Sequence, residues 1–237
     1  MEVIALTPSI DYGISNSVGL SLSLPYVWHT GTHRVLTNLF ESEKQKGVSD
    51  LIATVRYSWR WRFLNRNLAV ATLGGLTIPV TEKKLAILRD HIDFTTGTVD
   101  PVIGITGSLG LNNKTVLRLT AFSRQVWGTA EENQQVGSYY AYTLELRRLI
   151  NKANHSMYGR LFSEIREQYQ VNGRGYRNSG GEWLFGVLGG SYTLLASDKA
   201  GLRLTGEIEF PLSINVNGTQ PVQGTNLRVN LTSGFSL

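Results

Sequence analysis

The stretch Ser17-Val18-Gly19-Leu20-Ser21-Leu22-Ser23-Leu24-Pro25 alternates at every second residue. Val18, Leu20, Leu22 and Leu24 make one face apolar, while Ser17, Gly19, Ser21 and Ser23 make the other small and polar. Side chains of a β-strand point alternately to two faces, so this period means a strand with one apolar and one polar side. The same period returns late in the chain with charge on the polar face. There Arg203, Thr205, Glu207 and Glu209 alternate with Leu202, Leu204, Ile208 and Phe210.

About eleven such segments run along the 237 residues, near 3–10, 17–25, 50–60, 68–79, 101–111, 115–124, 138–150, 157–170, 182–195, 201–211 and 225–236. Most are roughly 9–13 residues long, beyond the ~5–6 usual for globular strands and matched to the ~9–11 of a tilted strand crossing a bilayer. Mean hydropathy is near neutral at −0.10. No run reaches the ~18 apolar residues of a transmembrane helix. The absence of cysteine excludes disulfides and thiolate metal sites. The formal charge is +5, but the basic residues are scattered rather than clustered, so no nucleic-acid partner is expected. Met1-Glu2-Val3 shows neither a basic n-region nor an apolar h-region of a signal peptide.

Connection lengths alternate. Short polar turns lie at 11–16, 61–67, 112–114, 151–156 and 197–200, and long loops at 26–49, 80–100, 125–137, 171–181 and 212–224. Short turns on one rim and long loops on the other characterise outer-membrane barrels, which in bacteria have an even number of strands. The pattern predicts an all-β, antiparallel up-and-down transmembrane barrel of about twelve strands, a single domain over 1–237. The odd count leads us to expect a further strand and a signal peptide before Val3. The alternative is a strand hidden in the 26–49 loop.

The faces separate strand by strand. Leu51, Ala53, Val55, Tyr57 and Trp59 oppose Thr54, Arg56, Ser58 and Arg60. Ile103, Ile105, Leu109 and Leu111 oppose Gly104, Thr106, Ser108 and Gly110. The segment from Trp183 to Leu195 is apolar on both faces and gives no assignment. A soluble lipocalin-like barrel would turn the apolar face inward. Aromatic clusters at strand ends argue otherwise: Trp59, Trp61 and Phe63, then Tyr26 and Trp28, then Tyr139, Tyr140 and Tyr142 resemble interfacial girdles. The last strand keeps its alternation through Leu227, Val229, Leu231 and Phe235 to Leu237, like the C-terminal signal of outer-membrane proteins.

A charge on the lipid face costs ~2–4 kcal/mol at the midplane, so the polar face points inward. The expected lumen-lining residues are Arg56, Arg118, Glu145, Arg147, Arg160, Glu164, Arg166, Arg203, Glu207, Glu209 and Arg228. They read as a salt-bridged filling, as a net basic channel wall with weak anion preference, or as a mixture of the two.

Three stretches, in order, resemble motifs of one family. Asp11-Tyr12-Gly13-Ile14-Ser15-Asn16 followed by Leu20-Ser21-Leu22-Ser23-Leu24-Pro25-Tyr26 is similar to its "Y-G-[LI]-[ST]-[DN] … L-P-Y" hairpin. Gly47-Val48-Ser49-Asp50-Leu51 leading to Arg56-Tyr57 resembles a "G-x-x-D … Y" strand opening. Gly97-Thr98-Val99-Asp100-Pro101-Val102-Ile103-Gly104 resembles a "G-T … D-P-x-x-G" entry to a central strand. The family is the outer-membrane family named for the meta-pathway of phenol degradation. The resemblance implies a twelve-stranded barrel that passes hydrophobic or aromatic compounds; the residues themselves lead us to expect no catalytic activity.

The residues themselves give little chemistry. His29 and His33 are four apart without acidic or Cys partners at ligand spacing, and Asp90, His91 and Asp93 read as solvated. His155 and Ser156 are adjacent, so on a strand they point apart. No nucleotide-binding loop is present, and neither a cofactor nor a metal is expected. In Thr81 to Asp93, Leu85, Leu88 and Ile92 follow helical spacing with Thr81 as N-cap, predicting a short helix at the mouth. The expected partners are membrane lipid, lipopolysaccharide and a small-molecule solute, and the expected state is a monomer. An outer-membrane lipid hydrolase and a closed structural barrel are the rival readings.

Overall fold

The computed structural model describes residues 2–36, 39–63, 65–80, 95–129, 134–151, 155–177, 179–196, 200–218 and 224–235. In chain order its strands are β1 (Glu2–Leu6), β2 (Ser9–Gly13), β3 (Val18–Ser23), β4 (Tyr26–Leu36), β5 (Leu39–Val48), β6 (Leu51–Phe63), β7 (Arg66–Ile78), β8 (Asp100–Gly110) and β9 (Thr115–Arg124). They continue as β10 (Gln134–Gln135), β11 (Tyr139–Asn151), β12 (His155–Arg166), β13 (Gln170–Val171), β14 (Arg174–Gly175), β15 (Gly181–Ala196), β16 (Ala200–Val216) and β17 (Asn226–Phe235). Among the described residues there is no helix. The helix expected over 81–93 and His91 lie outside those residues.

Eleven strands form one antiparallel sheet in the order β17-β16-β15-β12-β11-β9-β8-β7-β6-β3-β2. Strands adjacent in the sheet are mostly successive in sequence, the up-and-down connectivity that the alternating turns imply. The sheet is open: β2 and β17 are its edges and do not pair with each other. Because neighbouring strands alternate in direction, these two edges run the same way.

The segment 26–49, expected as a long loop, is instead the hairpin β4–β5, paired from Tyr26↔Val48 to Leu36↔Leu39. It prolongs the wall. Leu6↔Tyr26 and Ser9↔Ser23 belong to one unbroken register, joined where the Leu24 N–H donates to the Pro8 carbonyl at 3.1 Å. The Ser49 N–H donates likewise to the Pro25 carbonyl at 2.8 Å. Pro8 and Pro25 have no N–H for the ladder, which is why the pairing falls into two sheets there. The three-stranded sheet β1-β4-β5 is therefore the wall of β2, β3 and β6 carried past the long-loop rim. Thr30-Gly31-Thr32-His33 lacks an apolar period because a ladder beyond the apolar band needs no apolar face. The loops after β9 and β12 add a separate small sheet, β10-β13-β14.

Burial is inverted relative to a water-soluble sheet. Ile103, Leu119 and Leu188 are each 60 % exposed or more, whereas Glu145 and Glu209 are 4 % and 1 % exposed. The polar face is covered by the sheet's own curl. Arg228 on β17 acts electrostatically on Tyr139 of β11, although β12, β15 and β16 lie between them in sheet order. In a flat sheet four strand spacings of ~4.8 Å would already put them at least ~19 Å apart, before any offset along the strands. The register also resolves the ambiguous ninth segment. Trp183, Phe185 and Val187 share the face of Glu164, Phe162 and Arg160, and Leu184 and Leu188 take the other. Phe162 and Phe185 stack at 6.1 Å between centroids, so the inner face carries an apolar patch of its own.

Candidate functional site

The pairing register places all eleven expected residues on the polar face. One row of register partners crosses it as Arg60, Ala69, Ser108, Arg118, Glu145, Arg160, Val187, Glu209 and Asn226, from β6 to β17. Arg147, Glu164, Arg166, Arg203, Glu207 and Arg228 stand an even number of residues along their strands from members of this row, hence on the same face. Arg56 lies four residues from Arg60 on β6.

The carboxylates are engaged by arginines. Glu145 accepts from Arg147 Nε at 2.9 Å and faces Arg118 at 3.8 Å. Glu207 accepts from Arg160 at 2.9 Å and from the Tyr158 hydroxyl at 2.6 Å. Glu209 accepts from Arg228 at 2.7 Å and from the Asn226 amide at 3.1 Å. The Arg147 guanidinium also lies 4.4 Å from the Tyr158 ring centroid, within cation–π range. The result is a connected network over β9, β11, β12 and β16, with a second cluster joining β16 to β17, and in both each buried glutamate has a charged partner. That is the condition under which a buried ion pair is tolerated. Glu164 pairs with Arg166, whose guanidinium sits between the rings of Tyr139 at 5.8 Å and Trp183 at 5.7 Å.

Arg56 and Arg203 stand apart from this network. Both are exposed on the polar face, and Arg56 lies across Gly19 of β3, 3.7 Å from where a Cβ there would be. Arg60 and Arg62 share that face of β6 and are also exposed. Counting by twos from Arg56 finds both: Arg60 closes the expected segment 50–60, and Arg62 falls in the expected turn 61–67, which β6 shortens by running on to Phe63.

A second group at the long-loop rim was seen in the sequence only as motif letters. Asp50, just before β6, and Asp100, first in β8, are 3 % and 0 % exposed. The Thr95 hydroxyl donates to Asp50 Oδ1, and Asp50 Oδ2 accepts from the Thr96 N–H at 3.1 Å and its hydroxyl at 3.0 Å. Thr98 donates to Asp100 Oδ1 at 2.6 Å, and Thr77 on β7 donates to the Asp100 carbonyl at 3.4 Å. Asp50 and Asp100 fall on the polar face by register, so the 95–98 turn folds inward over that face. The Cβ of a residue replacing Gly128 would come 2.7 Å from the Thr98 methyl, so the loop after β9 rests on this turn.

Among the described residues no three His, Cys, Asp or Glu side chains converge on a metal-sized site. The His155 ring packs tilted against Tyr192 at 4.3 Å between centroids while Ser156 bonds Ser191 Oγ at 2.8 Å, so the two point to opposite faces.

No family model matches this sequence, and no curated protein does. Among solved structures the fold is similar to that of an outer membrane channel from Pseudomonas putida F1, with a TM-score of 0.64 at 16% sequence identity. The similarity covers 97% of this chain and 81% of that one, so the two share one β-architecture over nearly the whole length described here.

Proposed function

We propose that the chain is an outer-membrane β-barrel channel that lets small molecules cross the membrane passively. The observation that carries this is the inversion of the two faces. Large apolar side chains such as Ile103, Leu119, Leu188 and Leu227 are exposed on every part of the outer face, while glutamates and arginines fill the inner one. Such a surface is stable in hydrocarbon and not in water. The likeness to a channel fold supports the same reading.

In this reading one further strand, antiparallel to both β2 and β17, completes a twelve-stranded wall. Two edges that run the same way close as an all-antiparallel barrel only through an odd number of added strands. Lipid and lipopolysaccharide contact the outer face, and the barrel works as a monomer. The motif resemblance points to hydrophobic or aromatic solutes. The salt-bridged network favours a second reading, a lumen closed by its own charges on the β9–β17 side. His155 and Ser156 face opposite ways and do not form a nucleophile–base pair.

Swelling of proteoliposomes in solutes of graded size tests the proposal. Swelling that falls off with solute size is expected. Correctly inserted protein that is silent in both swelling and single-channel recordings would leave the closed barrel.

A further inference from the structure

The polar face is divided into two unlike halves. On β9 to β17 every inner-face carboxylate is engaged by an arginine, as Glu145 with Arg147 and Arg118, Glu164 with Arg166, Glu207 with Arg160, and Glu209 with Arg228. On β2 to β8 the same face is lined by small side chains, among them Gly19, Ser21, Thr54, Ala71, Gly104 and Thr106. From this half Arg56, Arg60 and Arg62 stand in one column, exposed. None of the three makes a hydrogen bond or ion pair with a described residue. Asp50 and Asp100, on the same side, are buried and already hydrogen-bonded at the rim, and Asp11 on β2 is exposed without an ion pair.

We infer that the solute path follows the β2–β8 half and that Arg56, Arg60 and Arg62 make it a site for small anions, carboxylates in particular. The argument is one of space and of uncompensated charge. Bulky paired side chains occupy the opposite wall, so free volume lies where the lining is Gly, Ala, Ser and Thr. On the paired half each glutamate already holds an arginine, whereas the column on β6 presents three guanidinium groups with no carboxylate partner among the described residues, and so a positive field along its own wall. Low-dielectric walls concentrate such a field and raise the local concentration of the opposite charge. A guanidinium fork matches a carboxylate with two parallel hydrogen bonds. Three forks spaced by two to four residues along one strand hand an anion onward without a single deep well, as conduction requires.

This inference rests on the channel reading, and the test separates the two. Protein reconstituted in planar bilayers under a KCl gradient is compared with R56Q/R60Q/R62Q, and with R203Q as an exposed arginine on the paired half. The expected result is a chloride-to-potassium permeability ratio above one that drops to one or below in the triple variant, with conductance kept and R203Q shifting it less. Acetate added to one side should block chloride current in the unmodified protein and lose that effect in the triple variant. A cation preference, or a ratio that the triple substitution leaves unchanged, would overturn the inference while the channel stands. No conductance from inserted protein overturns both.

Discussion

The ring of Tyr158 on β12 lies over Gly189, its register partner on β15, in the space a side chain there would need. A Cβ placed on Gly189 would stand 2.6 Å from the ring. The ring is held from the other side by Arg147 and through its hydroxyl by Glu207. Gly189→Ala must therefore push the ring off the wall and lengthen the 2.6 Å bond to Glu207. Overpacking of this kind costs about 1–3 kcal/mol. Tyr158→Phe keeps the ring in place and loses only a hydrogen bond to a charged group, about 1.5–3 kcal/mol. In a double-mutant cycle the two losses should fall short of additive, because the glycine substitution already strains the bond that the phenylalanine removes. Urea unfolding in phospholipid vesicles measures this, and strict additivity would show that ring and glycine act independently.

Glu145 is the carboxylate on which two arginines meet, and it is nearly fully covered, whereas Arg147 and Arg118 remain 24% and 44% exposed. Glu145→Gln should destabilise the folded wall by about 1.5–3 kcal/mol, the worth of a hydrogen bond to a charged group. The cost stays below that of stranding a fully buried charge because both guanidinium groups can turn toward water. Two freed cations on the inner face should also raise the anion-to-cation permeability ratio. A fall in that ratio would contradict the charge accounting of the paired half.

Much of this is legible in the chain because the alternation is strict. Along the strands charge is confined to one face, and Arg118, Glu145, Arg160 and Glu207 group from parity alone. Which glutamate meets which arginine depends on register, which the turns set, so Tyr158 as the partner of Glu207 could not be read. The β4–β5 hairpin, anticipated only as the alternative of a strand hidden in 26–49, is hard to read for the opposite reason: beyond the apolar band the same backbone ladder imposes no side-chain period. The segment of β15 defeated face assignment because Phe185 and Val187 pack inward, where a charge was expected. Asp50 and Asp100 were visible as motif letters, but their hydrogen bonds to Thr95, Thr96 and Thr98 exist only in the fold.

Leu119 sits midway along β9 on the exposed apolar face, and its neighbour Thr120 bonds Thr106 on the inner face at 3.0 Å. A charge should be punished at the first position and tolerated at the second. Leu119→Arg is expected to cost about 2–4 kcal/mol, the penalty at a bilayer midplane. Thr120→Arg should lose only its neutral hydrogen bond, about 0.5–1.5 kcal/mol. Folding yield into vesicles followed by heat-modifiable gel mobility compares the two directly. Equal yields would remove the assignment of the apolar face to lipid.

Asp50 holds the 95–98 turn against the inner face with three hydrogen bonds, from the Thr95 hydroxyl and from the Thr96 N–H and hydroxyl. Its removal should act on the mouth rather than on the wall, since β6 and β7 keep their full ladder from Leu51↔Ile78 onward. Asp50→Ala takes away all three acceptors and leaves the two threonine hydroxyls and one N–H to find water. At about 1.5–3 kcal/mol for each bond to a charged group, the turn should detach while the sheet stays folded. Asp50→Asn keeps one carbonyl acceptor and should release it less. The expected readout is protease cleavage within 95–98 in proteoliposomes, fast in Asp50→Ala, slower in Asp50→Asn and slowest in the unmodified protein, with far-UV circular dichroism the same for all three. Channel conductance should rise in the same order as cleavage, because the turn lies over the inner face at the rim. Equal cleavage in the three proteins would show that the turn is held by its packing against Gly128 rather than by the carboxylate.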